Sequence, residues 1–170
     1  MDYWGLYVLL LLIISARIGY MWWRPRRVRR IWERGLAALE QGDYAAAEGD
    51  LRTCTKIEPT FSPARRLLAR AQVKLHKLDE AEEQLQMASK FEPKNAEAHA
   101  ELGLFLARYT RGREEEAVDA LRKAVTLAPG LREHLRRAQG VERLLQHERL
   151  RTALEVSSPT HGDEPFDTPP

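Results

Sequence analysis

The chain has 170 residues, 27 of them basic and 25 acidic, for a formal net charge of +2. That length suits one modest domain with an appendage, and a single cysteine, Cys54, excludes both an intramolecular disulfide and a cysteine-built zinc cage. Six arginines (Arg17, Arg24, Arg26, Arg27, Arg29, Arg30) cluster near the N-terminus, and residues 31–155 hold 21 basic against 21 acidic side chains, a balance that excludes the net basic surface nucleic acid requires.

Tyr3 to Trp23 is a 21-residue apolar stretch with Arg17 as its only charge. A helix of that length spans about 30 Å, the hydrocarbon thickness of a bilayer. Tyr3, Trp4 and Tyr7 sit at one end and Tyr20, Trp22 and Trp23 at the other, the interfacial positions amphipathic rings prefer. Arg17 is near enough to the C-terminal edge to reach the headgroups with its stem. A cleaved signal peptide fits poorly: Met-Asp supplies no basic n-region and no Ala-x-Ala site follows. Residues 1–23 are thus expected to be a single-pass anchor that contacts lipid. Residues 24–30 form a basic juxtamembrane segment (Arg24, Arg26, Arg27, Arg29, Arg30) that sets topology and can also meet anionic headgroups. The N-terminus then faces outward and the rest is cytoplasmic. Arginine outnumbers lysine 21 to 6, a codon-usage sign of a GC-rich genome and so of a bacterial inner membrane. Ser15 and Gly19 are spaced to let two anchors pack, and nothing else supports homodimerisation.

Beyond the anchor the chain repeats itself. Pro59, Pro93 and Pro129 each close an amphipathic run, with a small residue five positions earlier (Cys54, Ala88, Ala124) and an alanine seven before that (Ala47, Ala81, Ala117). Gly35, Ala69 and Gly103 precede those alanines by one helix-and-turn. Helices are predicted over 28–41, 44–57, 62–75, 78–91, 96–110 and 114–127. Gly42-Asp43-Tyr44 marks the first turn, and each proline stops its helix because it lacks an N–H and restricts its predecessor. A seventh helix, carrying Leu131, Leu135, Ala138, Leu145 and Leu150, is predicted over about 131–154 as a cap with a polar outer face. Ser157 to Pro170, with four prolines and three acids, is expected to be disordered.

These residues and their spacing resemble the tetratricopeptide repeat family. The resemblance covers Val28 to Pro129 and implies an all-α fold: an N-terminal transmembrane helix, then a right-handed α-solenoid of three helix pairs (28–61, 62–95, 96–131), a capping helix (132–155) and a tail (156–170). It pairs Gly35 with Ala47, Ala69 with Ala81 and Gly103 with Ala117 at close helix crossings. Leu51, Leu85 and Leu121 are then expected to fill the space between repeats. The chain departs from the family pattern at Arg34, Arg65 and His99, where large apolar residues are usual. It departs again at Ala38, Gln72 and Leu106, where an aromatic is usual, and in a third turn longer by two residues.

The sequence holds no catalytic constellation, no metal-ligand spacing and no phosphate loop, so neither an enzyme nor a cofactor is expected. Cys54 takes a small-residue slot and should be buried and inert. Glu114, Glu115 and Glu116 favour the helix N-terminus they precede. The resemblance implies a concave groove for a protein or peptide, lined by Trp32, Leu36 and Leu39, by Arg66, Arg70 and Lys74, and by Glu97, Glu101, Leu104 and Arg108. Arg66, Arg70 and Lys74 recur every fourth residue, so they share one helix face. They suit an acidic peptide or a free C-terminus, or else form a solvated stripe paired with Glu97 and Glu101. The family's carboxylate clamp for chaperone tails needs Lys and Asn where Trp32 and Leu36 stand. Two functions follow: a membrane-tethered adaptor, or an assembly or structural subunit of a membrane complex whose anchor also packs against other spans. Replacing the anchor by an unrelated apolar helix separates them, since only the adaptor would keep working.

Overall fold

The computed structural model describes residues 26–155, and among these the secondary structure is entirely helical. The expected membrane anchor of residues 1–23, residues 24 and 25, and the expected disordered tail of 156–170 lie outside the described residues. Within them, no helix is long and apolar enough to cross a membrane. The chain divides into two compact units between Phe91 and Glu92.

The first unit holds α1 (26–40), α2 (Tyr44–Ile57), α3 (Ser62–Lys74) and α4 (Leu78–Phe91). Helix α1 is already formed at residue 26, so Arg26, Arg27, Arg29 and Arg30 stand on a helix and not on a linker before it. It ends because Gly42 adopts φ +79°, which lets Asp43 N–H reach Ala38 O at 2.9 Å and Gly42 N–H reach Leu39 O at 3.2 Å, a Schellman closure. Asp43 then caps α2 by accepting from Ala46 N–H at 3.0 Å. The α3–α4 turn repeats this closure one repeat later, with Lys77 N–H on Gln72 O at 2.9 Å, but the left-handed residue is His76, at φ 60°. A side chain there carries about 1 kcal/mol of steric cost. His76→Gly should therefore stabilise the protein by roughly 0.5–1 kcal/mol, read as a raised unfolding midpoint.

Val28, Ile31, Ala47, Leu51, Cys54, Ala64, Leu68 and Ala71 form one buried cluster joining α1, α2 and α3. Every small-slot residue is buried, including Gly35, Ala69, Ala81 and Ala88. The glycine slot lies directly against Leu51. A methyl on Gly35 would lie 2.7 Å from Leu51 Cγ and 2.9 Å from its Cδ2. Leu51 thus packs onto the glycine of its own repeat, and it belongs to the same buried cluster as Ala64, Leu68 and Ala71 of the next. The crossing is close because the leucine needs the glycine's missing side chain.

A polar network ties the two repeats of this unit. Glu48, with its side chain only 10% exposed, accepts from Lys77 Nζ at 2.7 Å and from Arg52 at 2.5 Å. Arg52 also pairs with Glu80 at 2.6 Å, and Gln72 donates to the same Glu80 oxygen at 3.0 Å. Burial by itself would raise the Glu48 pKa, but the hydrogen bonds and charges of Lys77 and Arg52 outweigh it and the pKa is lowered.

The second unit holds α5 (Ala96–Tyr109) and α6 (Glu114–Leu127), followed by a 3₁₀ turn at Pro129–Leu131, α7 (Arg132–Arg136), a second 3₁₀ turn at Glu142–Leu144 and α8 (Glu148–Glu155). Asn95 caps α5, accepting from Glu97 N–H at 3.0 Å and Ala98 N–H at 3.3 Å. The slot geometry recurs: a methyl on Gly103 would lie 2.7 Å from Leu121 Cγ and 3.1 Å from Leu121 N. The long third turn is closed by Gly112 at φ +82°, with Gly112 N–H donating to Glu114 at 3.1 Å.

The cap is not the single helix 132–155. Helix α7 ends at Arg136, and the turn that follows holds Gly140 at a φ of +91°, which no continuing helix allows. The fully buried residues are Leu135, Val141, Leu144 and Leu150, with Leu154 at 3% exposure. Their spacing of six, three and six does not fit one helical stripe. Leu131, Ala138 and Leu145 are only half-buried. The folded-back cap is pinned by arginines: Arg136 donates to Leu154 O at 2.8 Å, Arg132 to Ala153 O at 3.2 Å, and Arg143 to Thr110 O at 2.8 Å and also to Ala107 O. These cations meet the carbonyl ends of α8 and α5, where a helix favours positive charge. Helix α8 packs on α6, with Arg149 3.1 Å from Asp119 and His147 3.3 Å from Glu115.

Candidate partner-binding surface

The expected groove residues fall on three helices. In the first unit, Trp32 and Leu39 of α1 are half-buried against the core cluster, and Trp32 meets Phe61 edge-on with ring centroids 6.1 Å apart. Part of their apolar surface therefore holds α1 in place. Leu36 is also half-buried. On α3, Arg70 and Lys74 are exposed and Arg66, one turn before Arg70, is half-buried. In the second unit, α5 presents Glu97 and Arg108 exposed, with Glu101 and Leu104 half-buried. The Arg108 guanidinium lies 5.3 Å from the Tyr109 ring centroid, and Tyr109 in turn contacts Phe105 at 5.2 Å. Tyr109, at 37%, is one of the large apolar side chains left exposed among the described residues. The repeat pattern gave no sign of it, because it lies at the end of α5 beyond the repeating slots.

The departures from the family pattern have local explanations. Arg34 is exposed and pairs with Asp50 of α2 at 2.7 Å, so its position does not face the core. Arg65 and His99 are both buried, and each reaches the carbonyl of the proline six residues earlier: Arg65 Nε donates to Pro59 O at 2.8 Å, and His99 Nε2 lies 3.0 Å from Pro93 O. Arg65 also donates to Gln84 at 2.7 Å and stacks 5.2 Å from the Phe91 ring centre. Six residues after the third proline comes Leu135, fully buried. The slot accepts either an apolar residue or a polar one that satisfies the carbonyl left free where proline ends a helix. Gln72 is likewise buried, and its amide donates to Glu80.

Burial pushes the His99 pKa down, the Pro93 hydrogen bond opposes this in part, and the charge of Lys123 adds to the lowering. The unfolded chain therefore takes up its proton first, near pH 6.5. Stability from this group is full above that value and declines as the pH falls below it. Thermal unfolding at pH 7 and pH 5 should show a drop in midpoint that is smaller in His99→Leu. An equal drop in both proteins would place the titrating group elsewhere.

Cys54 is fully buried, its Sγ 3.8 Å from Val28 O. Burial first, then the charge of Glu58, pushes the thiol pKa up to about 11. Such a thiol is a poor nucleophile at neutral pH. Glu114 has its pKa lowered by hydrogen bonds from its own N–H and from Gly112 N–H, in keeping with acids at a helix start. Among the described residues no three His, Cys, Asp or Glu side chains gather as metal ligands.

Helix pairs recurring with the same small slots and a terminal proline define a helical-repeat protein. Two family models, both described as tetratricopeptide repeat, match residues 38–104 and 96–130, an unbroken span of more than half the chain. The chain belongs to the tetratricopeptide repeat family. Among solved structures it is similar to the first such domain of Spaghetti (RPAP3) bound to the HSP90 peptide SRMEEVD. Identity there is 19% and the TM-score 0.62, over 71% of this chain and 94% of that one. It is also similar to the Arabidopsis OM64 domain, at 22% identity and TM-score 0.63 over 73% and 98% of the two chains. MamA from Desulfovibrio magneticus RS-1 matches at 23% identity and TM-score 0.58 over 75% and 70%. At these identities the likeness shows the fold alone. No curated protein matches the chain.

Proposed function

We propose that this chain is a membrane-tethered adaptor, held by residues 3–23 at the cytoplasmic face of a bacterial inner membrane, whose repeats take up a partner protein or peptide. The observation that carries partner binding is the face of α3, where Arg70 and Lys74 are exposed one turn apart and Arg66 precedes them by one turn. Two long cations on a helix held rigid by the core suit carboxylates, so the partner is an acidic segment or a free C-terminus. The similar Spaghetti domain, bound to the HSP90 peptide SRMEEVD, supports a peptide as the ligand. Trp32 and Leu36 stand where the chaperone-tail clamp needs Lys and Asn, so these residues do not support a chaperone tail as the partner. Tethering is supported by the apolar run with aromatic ends and by the arginines that follow it.

Arg70→Glu/Lys74→Glu in the full chain tests the surface. Partner recovered from solubilised membranes should fall about tenfold, with the unfolding midpoint unchanged because both side chains are exposed. Recovery equal to wild type would move the binding surface off α3. A reporter active only outside the cytoplasm, fused after Pro170, should be silent, and activity there would reverse the topology.

A further inference from the structure

The start of α1 carries a strongly basic face. Arg26, Arg27, Arg29, Arg30 and Arg34 stand within nine residues, with Glu33 the only acid. At 100° per residue these six share the outward side of the helix. Val28, Ile31 and Gly35 share the opposite side and are buried, so packing fixes which way the arginines point. Arg34 is committed to Asp50 at 2.7 Å. Arg29 pairs with Glu33 at 2.8 Å, but with side chains 78% and 50% exposed this is a solvated pair that exchanges readily for another anion. Arg26 and Arg30 are exposed and form no ion pair with any described residue.

We propose that this face of α1 seats the anionic phospholipid headgroups of the membrane that holds the chain, laying the first repeat against the bilayer surface. The proposal rests on the tethered reading above. Arg26 is three residues beyond Trp23 and Arg30 seven, so even a fully extended chain keeps them within roughly 10 and 25 Å of the end of the apolar run. The nearer distance is about one screening length at physiological salt. Guanidinium forks match phosphate oxygens two at a time. The balanced charge of 31–155 gives no broader basic field for a nucleic acid to follow.

The full chain is placed in nanodiscs of phosphatidylcholine alone or of phosphatidylcholine mixed with phosphatidylglycerol, and amide hydrogen exchange is followed over residues 30–36. A disc exposes both faces, so topology does not enter. Phosphatidylglycerol should slow exchange about tenfold, since each arginine near an anionic surface strengthens attachment severalfold. High salt should abolish the effect, and inorganic phosphate in solution should not reproduce it. Arg26→Gln/Arg30→Gln keeps helix propensity and leaves the Arg29 and Arg34 pairs intact. It should exchange at the same rate in both discs with an unchanged unfolding midpoint. Equal rates for the wild type in the two discs overturn the proposal, as does a lipid difference that survives in the variant. Slowing by soluble polyglutamate and not by lipid would assign the face to an acidic protein. A chain that fails to enter either disc overturns the tethered reading and this proposal with it, whereas entry without a lipid effect overturns this proposal alone.

Discussion

Leu121→Ala should destabilise the protein by about 2–5 kcal/mol, and Gly103→Ala, alone, by about 1–2 kcal/mol. Leu121 is fully buried on α6, and its Cγ fills the space a side chain at Gly103 would need, 2.7 Å from a methyl built there. The added methyl also stands 3.1 Å from Leu121 N, so rotating the leucine does not clear it. Helix propensity works the other way by up to about 1 kcal/mol, and the clash exceeds it. Combining the two substitutions should cost less than their sum by about 1 kcal/mol or more, because the alanine methyl then occupies room the leucine has left. Gly49→Ala is the control. Gly49 lies exposed in the middle of α2 with nothing within 4 Å of the added methyl. It should stabilise by about 0.5–1 kcal/mol. Denaturant unfolding of the four variants measures the cycle, and strict additivity would mean that Leu121 does not depend on the glycine slot.

Gly140→Ala should cost about 2–4 kcal/mol, a large effect for one exposed-looking loop. Two penalties coincide there. The residue sits at φ +91°, which a side chain rarely tolerates, and its methyl would meet Ala107 O at 3.1 Å and Arg108 Cα at 3.3 Å. Both are backbone atoms of α5 and cannot swing aside. The loop would lift, and with it the Arg143 bonds to Ala107 O and Thr110 O. Gly130→Ala, with nothing within 4 Å, should stay within about 0.5 kcal/mol of wild type. Heat unfolding read alongside hydrogen exchange in α8 distinguishes a loosened cap from a global loss. A Gly140→Ala protein as stable as wild type would mean that the loop is not seated on α5.

The repeats were legible because their signals are local. A glycine at 42, acids at helix starts and prolines at 59, 93 and 129 each act within one turn of chain, and α2, α4 and α6 begin and end where those residues place them. The small slots were legible as a pattern but not as contacts. Spacing says that Gly35 and Gly103 lie at a crossing, not that Leu51 and Leu121 fill it. Arg65 and His99 were visible as anomalies, yet their carbonyl partners follow only from the three-dimensional turn after each proline. The cap misled because leucines set among charges imitate one amphipathic helix, while the decisive residue, Gly140, draws its meaning from α5, more than thirty positions earlier. The α3 cations were readable by their four-residue recurrence. Exposed Tyr109 was not, since nothing in its neighbourhood repeats.

The folded-back cap also bears on how the chain is made. Most contacts of the repeats join helices adjacent in sequence, α3 with α4 and α5 with α6, so each pair can collapse soon after it leaves the ribosome. The cap is different: the side of α6 that receives α8 is complete before α8 has been synthesised. During that interval the surface of α6 that α8 will take, including Glu115 and Asp119, is left uncovered. A chain that pauses between Leu127 and Leu150 would hold that surface open until the cap closes.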